Sequence, residues 1–285
     1  MKLIVISGVS GSGKSTALNV LEDLDFYCID NLPVGLLPAF AEQMQGASHD
    51  LVDNIAVGID ARNLPSELHR FSYILEQLRN KGIVCEIFFL DADDSVLIKR
   101  FSETRRRHPL SVNKISLPEA IKKERELLDP IASRADLYLD TSHTNLYQLS
   151  DLVKERVSSH IGSSMSILFV SFGFKKGVPK DADFVFDVRC LPNPHWEIKL
   201  RPLTGLDHDV AQFLHQQDEV GQMYADIKHF IDTWVPRFEA QNRSYMTIAI
   251  GCTGGQHRSV YLAQKLADSF KEFHANVTVH HRELL

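Results

Sequence analysis

GVSGSGKS occupies residues 8–15 of the chain. It satisfies G-x-x-x-x-G-K-S and lies between an apolar run, KLIVIS (2–7), and a helix-like run, STALNVLEDL (15–24). That context is what the pattern needs: a strand that delivers the chain and a helix whose N-terminus receives a phosphate. The glycines let backbone N–H groups turn inward around an anion. Lys14 offers a charge to the β- and γ-phosphates, and the Ser15 hydroxyl offers a ligand to a Mg²⁺ carried by the nucleotide. The two are the candidate catalytic residues for any hydrolysis. A merely glycine-rich turn would explain the glycines but not a Lys and a Ser at those positions.

Around this segment, short apolar runs alternate with helix-like segments over the first 155 residues or so. Strands are expected at 2–7, 26–30, 54–60, 84–92 and 135–142, with helical spacing of apolar residues between them. Such alternation implies βαβ units and a parallel sheet covered on both faces. SSHIGSSMS (158–166) is a Ser/Gly-rich break. After it, ILFVSFGF, FVFDVRCL and MTIAIGC read as strands, and 218–238 and 259–273 as helices. The expected architecture is α/β: an N-terminal P-loop NTPase domain over 1–157, a linker at 158–166 and a second α/β domain over 167–285.

The 44% hydrophobic content supports cores of this size, and no run approaches the length of a membrane span. The opening MKLIVISG reads as a buried strand rather than a secretory signal. Cys28, Cys85, Cys190 and Cys252 are scattered with no zinc spacing, so reduced thiols and a cytoplasmic location are expected. A net charge of −6 makes no global case for nucleic acid, so any such site must be a local patch.

Other N-terminal candidates surround the P-loop reading. Asp30 and Asp91 each end a strand run, where a carboxylate is placed either to meet Mg²⁺ or to start a turn. Arg100, Arg105, Arg106 and Arg107 cluster after the fourth strand, as a lid over a transferred phosphate or as a solvated basic helix end. DARN (60–63) follows the third strand; on chemistry alone it is an ordinary turn, and no NKxD selects guanine.

A second anion signal lies far along the chain. In GCTGGQHRS (251–259) a strand leads into a glycine loop that opens a helix. Gly254 and Gly255 permit close backbone approach, Arg258 offers a bidentate fork, Thr253 and Ser259 offer hydroxyls, and His257 adds a charge when protonated. The pattern is that of cysteine-dependent phosphatases, in which Cys252 would be a thiolate nucleophile. Such an enzyme also needs a general acid, for which Asp183 and Asp187 are candidates, whereas Cys252 equally fits a small buried residue. LPNPHWEIKLRPLTG (191–205) adds a rigid loop with His195, Trp196, Lys199 and Arg201, suited to a phosphorylated small molecule or to a packed corner.

SGVSGSGKS, FYCIDNLP, DARN, TRRRHPLS, SFGFKKGVP, DVRCLPNPHW, RPLTGLD and NRSYMTIAIGCTGGQHRSV together resemble the RapZ-like nucleotide-binding protein family, which includes RNase adapters. The likeness runs over essentially the whole chain. It implies a kinase-like N-terminal domain with weak ATPase or GTPase activity, binding ATP at Gly8, Val9, Ser10, Gly11, Ser12, Gly13, Lys14 and Ser15. It also implies GTP at Asp60, Ala61, Arg62 and Asn63. For the C-terminal domain it implies glucosamine-6-phosphate sensing by His195, Cys252, Thr253, Gly254, Gly255, His257, Arg258 and Ser259. It further implies small regulatory RNA presented to RNase E, and a homo-oligomer. The candidate RNA contacts are Lys175, Lys176, Lys180, Arg201, Lys271 and Arg282. The chain departs from enterobacterial members at its end, where Arg282 is the only Lys or Arg after Lys271. Phosphate transfer to a small molecule by a P-loop kinase, and cysteine phosphatase chemistry, are the competing readings.

Overall fold

Five strands of the N-terminal part, β1 (Lys2–Gly8), β2 (Tyr27–Ile29), β3 (Asn54–Ile59), β4 (Val84–Asp91) and β5 (Leu137–Asp140), form one sheet in the order β2-β3-β1-β4-β5. Every pair is parallel. Leu3, Ile4, Val5 and Ile6 of the central strand are fully buried in succession, so both faces of the sheet are covered. The cover comes from α1 (Lys14–Asp23), α2 (Leu37–Gly46), α3 (Pro65–His69), α4 (Phe71–Asn80), α5 (Asp94–Thr104), α6 (Leu117–Ala132) and α7 (Leu146–Ser158). Ser116 and Glu119 form a capping box at the start of α6, which fixes where that helix begins. β1 sends the chain to β2 at one edge, whereas its neighbour β4 sends it to β5 at the other. Divergence of this kind opens a crevice at the carboxyl ends of the strands, where α/β proteins bind ligands.

The computed structural model describes residues 2–46, 54–63, 65–104, 106–111, 115–158, 165–241 and 243–284. The chain divides into two compact units, Met1–Lys154 and Glu155–Leu285. Most of the expected linker, and Arg105, lie outside the described residues.

The second unit is a four-stranded parallel sheet of β6 (Ser166–Gly173), β7 (Phe184–Asp187), β8 (Tyr245–Cys252) and β9 (Val277–His281), ordered β7-β8-β6-β9. All eight residues of β6 and of β8 are buried. α8 (His208–His215), α9 (Asp218–Glu239) and α10 (Arg258–Lys271) complete it, with Phe169, Ile248, Leu266 and Phe270 in a common core. Arg156, in the last turn of α7, is buried in this unit and donates to Thr247 Oγ1 at 2.7 Å. The strand expected over 184–191 stops at Asp187, because the Leu191 N–H turns back onto Val188 O. β9, α2, α7 and α8 were not expected from the sequence. β9 is an edge strand of five residues, mostly half-buried, too short to display a period.

Candidate phosphate sites

The P-loop follows β1. Gly8 has φ 145°, and a Cβ there would lie 2.1 Å from Leu90 O of β4, so only glycine passes. Gly13, at φ 108°, precedes the first turn of α1. The loop carbonyls are drawn outward: Arg100 Nη1 donates to Gly11 O at 3.0 Å and Thr141 Oγ1 to Ser12 O at 2.9 Å. Peptide planarity then turns the neighbouring N–H groups toward the inside. Arg100 is thus a strut of the loop rather than a mobile lid residue. Ser15 is exposed in the first turn of α1. Lys14 Nζ donates to Gly8 O at 2.7 Å, the length of a charge-assisted bond. Burial pushes the Lys14 pKa down, opposed by the charges of Glu124, Asp60 and Asp30.

Two acidic groups that sequence singled out part company here. Asp30 stays near Lys14, its Oδ1 lying where a Cβ on Gly58 would intrude. Asp91 accepts from Arg125 Nε at 3.1 Å and from Tyr138 Oη at 2.9 Å, which makes it a strand-end anchor. Of the arginine run, Arg106 and Arg107 are exposed.

The DARN segment is brought into the same region, but as a self-bonded turn. Asp60 accepts from Arg62 N at 2.9 Å and from Arg62 Nε at 2.8 Å. Those bonds raise the Arg62 pKa above its ordinary value. Asn63 Oδ1 accepts from Val34 N at 2.6 Å, and Asn63 Nδ2 donates to Asp60 O at 3.1 Å. Ala61 is buried. A cavity of about 560 Å³ opens beside the turn, lined by Asn31, Leu36, Arg62, Asn63, Glu67 and Arg70.

Glu124 and His108 were missed altogether. Glu124 is fully buried on α6, accepting from Ser10 N at 2.8 Å and from Ser10 Oγ at 2.7 Å. His108 Nε2 meets the same carboxylate at 2.9 Å. The Ser10 N–H is therefore committed to Glu124 and not to a phosphate. One signal was available: Glu124 falls on the apolar stripe of α6 with Ala120, Ile121, Leu128 and Ile131.

The C-terminal loop begins at the last residue of β8 and ends in the first turn of α10. Gly255 has φ 73°, and a Cβ there would lie 2.6 Å from Gly173 N, so the loop packs directly on the end of β6. Cys252 is buried; its Sγ accepts from Gly255 N at 3.2 Å and shares a hydrogen bond with Ser259 Oγ at 3.1 Å. These bonds brace the loop. Thr253 and Gly254 face solvent.

Arg258 is only 4% exposed, and its guanidinium is half engaged. Nη1 donates to Arg189 O at 2.7 Å and to Leu191 O at 2.8 Å, while Nη2 makes a long contact of 3.4 Å with Thr253 Oγ1. Nε is buried with no partner. The Nε–Nη2 edge, one of the two faces of the fork that fit an oxyanion, is left beside Thr253. A buried donor without an acceptor costs roughly 1–3 kcal/mol, which an incoming anion would offset.

The loop 191–205 closes over this region. The His195 and His257 rings lie 6.3 Å apart although the residues are distant in sequence, and Gly205 N donates to Gln256 O at 2.8 Å. His257 Nε2 donates to Leu200 O at 3.2 Å, and burial pushes its pKa below the usual 6.5. The neutral form of the ring is thereby favoured near pH 7.

Neither proposed general acid is suitably placed. Asp183 accepts from Thr247 N and Arg243, at the opposite end of β8 from the loop. Asp187 is at the loop end, but two-pronged bonding by Arg189 lowers its pKa and keeps it ionised. Lys175, Lys176, Lys180 and Arg201 are exposed, and the Lys175 N–H donates to Thr253 O at 3.3 Å. Arg201 Nε donates to His195 O at 3.1 Å, which ties it to the same loop. Lys271 lies apart on α10, paired with Asp268. Arg282 Nη2 donates to Gly177 O at 2.6 Å, pairs with Glu283 at 2.9 Å and lies over the Phe172 ring, so its guanidinium is engaged within the fold.

The family described as the RapZ-like N-terminal domain matches residues 1–161, and the family described as the RapZ C-terminal domain matches residues 165–285. The chain belongs to the RapZ family. A relative from Nitrosococcus oceani called "Nucleotide-binding protein" is 58% identical over 284 residues, covering 100% of each chain. One of the same name from Ectopseudomonas mendocina is 56% identical over the same extent. Among solved structures, a sugar kinase from Janibacter is similar at 19% identity with a TM-score of 0.35, covering 55% of this chain and 92% of that one. A gluconokinase from Sinorhizobium meliloti is similar at 18% identity and 0.36, covering 53% and 89%. Likenesses this distant carry no argument about function. Among the described residues, no helix is long and apolar enough to cross a membrane.

Proposed function

We propose that this RapZ-family chain is a nucleotide-binding regulatory protein that senses a phosphosugar and acts on RNA in the cytoplasm. The observation that carries it is the buried Nε of Arg258, a charged donor with no acceptor at a glycine loop that opens a helix. Glucosamine-6-phosphate fits the chemistry of that site: its phosphate meets the free edge of Arg258 and Thr253, and its hydroxyl and amino groups meet His195. The exposed Lys175, Lys176 and Lys180 offer cations to an RNA backbone, and the Lys175 N–H donates to Thr253 O of this loop.

Nucleotide binding is supported by the P-loop geometry and by the name the relatives carry. ATP would lie against residues 11–15, with Lys14 on its phosphates. The Ser15 hydroxyl and the phosphate oxygens suit a Mg²⁺ that arrives with the nucleotide, which would neutralise charge on the terminal phosphates. GTP at residues 60–63 would have to use Arg62 and Asn63 from the cavity side, since both side chains already brace their own turn. Weak hydrolysis serves such a role better than rapid turnover. The test is binding of a small regulatory RNA, measured at low salt with and without glucosamine-6-phosphate. Loss of RNA binding on adding the sugar supports the reading. No RNA binding in either condition contradicts the adapter half while leaving nucleotide binding standing.

The cavity beside Arg62 and Arg70 favours a second reading, a kinase whose acceptor enters there. Incubation with labelled ATP and candidate acceptors decides it: label found only in inorganic phosphate counts against the kinase. The phosphatase reading has no comparable support, because neither Asp183 nor Asp187 is placed to protonate a leaving group.

A further inference from the structure

We propose that Ser10, Glu124 and His108 form a hydrogen-bond chain that positions the water attacking the terminal phosphoryl group of a bound nucleoside triphosphate. The inference rests on the nucleotide reading of the P-loop and adds residues to it. Its starting point is the Ser10 hydroxyl. That proton is donated to Glu124 Oε1 at 2.7 Å, so the lone pairs of Oγ, at the rim of the loop, are left to accept. A water that donates one hydrogen to this oxygen has its own lone pair directed into the loop, where the terminal phosphate would lie.

Glu124 is held for that task from the other side. The Leu110 N–H donates to His108 Nδ1 at 3.1 Å, which leaves the Nε2 proton to be donated to Glu124 Oε2 at 2.9 Å. The neutral imidazole and the Ser10 N–H therefore orient one oxygen and the Ser10 hydroxyl the other. Burial raises the Glu124 pKa, but the bonds from His108 and Ser10 and the charge of Lys14 outweigh it, and the net shift is downward. An ionised carboxylate with a low pKa is a poor proton acceptor and a good orienting group. Phosphoryl transfer through a loose transition state asks for orientation more than for a strong base. The water oxygen bonds to phosphorus as the bond to the bridging oxygen breaks. The diphosphate leaves with that electron pair, and both hydrogens of the water end on dihydrogen phosphate.

A structural role alone does not account for this arrangement. A carboxylate on the apolar stripe of α6 loses its hydration, and an apolar residue of similar volume would pack there at no such cost. Instead, Glu124 bonds to the P-loop and to the segment that carries Arg106 and Arg107. The His108 ring also lies 5.3 Å from Phe101 of α5, which seats that segment. His108 thereby couples the seating of the arginines to the orientation of Ser10.

The test uses the full chain, with ATP turnover and ATP affinity measured separately. Ser10→Ala and Glu124→Gln are each expected to lower kcat about 10- to 100-fold with little change in Kd. Ser10→Thr, which keeps the hydroxyl, restores turnover, and the double variant is no slower than the worse single one, because both act through one hydrogen bond. Should Glu124→Gln fail to fold, Ser10→Ala and Ser10→Thr carry the test alone. Unchanged turnover in Ser10→Ala overturns the proposal, as does a loss confined to Kd. Wild-type protein that binds ATP without hydrolysing it overturns the proposal and spares the nucleotide reading. Wild-type protein that binds no ATP overturns both.

Discussion

The loop over residues 8–14 and the loop over residues 253–257 both follow a buried parallel strand and open a helix, yet their cations are held in different ways. Lys14 curls back onto Gly8 O and sits among three acidic groups, Glu124, Asp60 and Asp30. Arg258 is anchored by two carbonyls through one nitrogen and has its Nε buried without a partner, with no carboxylate bonded to it among the described residues. A point charge among acids suits a ligand that brings its own cation and leaves again. A fixed fork with an unpaired N–H suits recognition of one small phosphate. The two loops thus differ in how the cation is tethered, and the proposed division of labour between them follows from that difference.

Arg258→Lys breaks this contrast most sharply. A lysine keeps the charge but loses the planar fork and the two bonds to the carbonyls of Arg189 and Leu191. Glucosamine-6-phosphate affinity is expected to fall about 10- to 100-fold, as for the loss of a charged hydrogen bond. Calorimetric titration measures it, and affinity unchanged from wild type would mean that the fork is not the recognising group.

A smaller effect is expected at Arg282. Since its guanidinium is bonded to Gly177 O and Glu283, Arg282→Ala should cost about 1–2 kcal/mol of stability in the second unit. Both tryptophans, Trp196 and Trp234, lie in that unit, so fluorescence during urea unfolding reports on it alone. If the variant weakened RNA binding with no change in stability, Arg282 would be an RNA contact after all.

The smallest expected change separates the two units by pH. Burial lowers the His281 pKa to about 4 and also lowers that of His257, against 6.5 in the unfolded chain. The unfolded state therefore takes up protons that the folded state does not, and the stability contributed by these groups is full above pH 6.5 and declines toward pH 4. In the first unit, the lowered Glu124 pKa gives a contribution that is lost only below the ordinary carboxylate value of 4.5. The tryptophan-reported urea midpoint should thus drop between pH 7 and pH 5. A midpoint that does not move would contradict these assignments.

The first sheet was legible in the sequence because each of its strands is a run of apolar residues between helix-like segments, with the P-loop fixing the first. β6 and β8 were legible for the same reason. What stayed hidden depends on distance along the chain. Nothing near GVSGSGKS announces that Glu124, 114 residues away, will cap Ser10, since only the packing of α6 beneath β1 brings them together. His195 could be singled out as unusual, but its approach to His257 arises from the fold of a loop. The neutral state of His257 is a matter of burial, which a local pattern does not reveal. The DARN turn was read correctly as a turn on chemistry, since its Asp and Asn bond to their own backbone neighbours.

Two separate loops are each expected to hold a phosphate, one on a nucleotide and one on a sugar. The most direct measurement is a crossed titration of wild-type protein, Lys14→Ala and Arg258→Ala with ATP and with glucosamine-6-phosphate. The expected result is that Lys14→Ala loses ATP and keeps the sugar, while Arg258→Ala loses the sugar and keeps ATP. Wild-type affinity for both ligands in both folded variants would contradict the account.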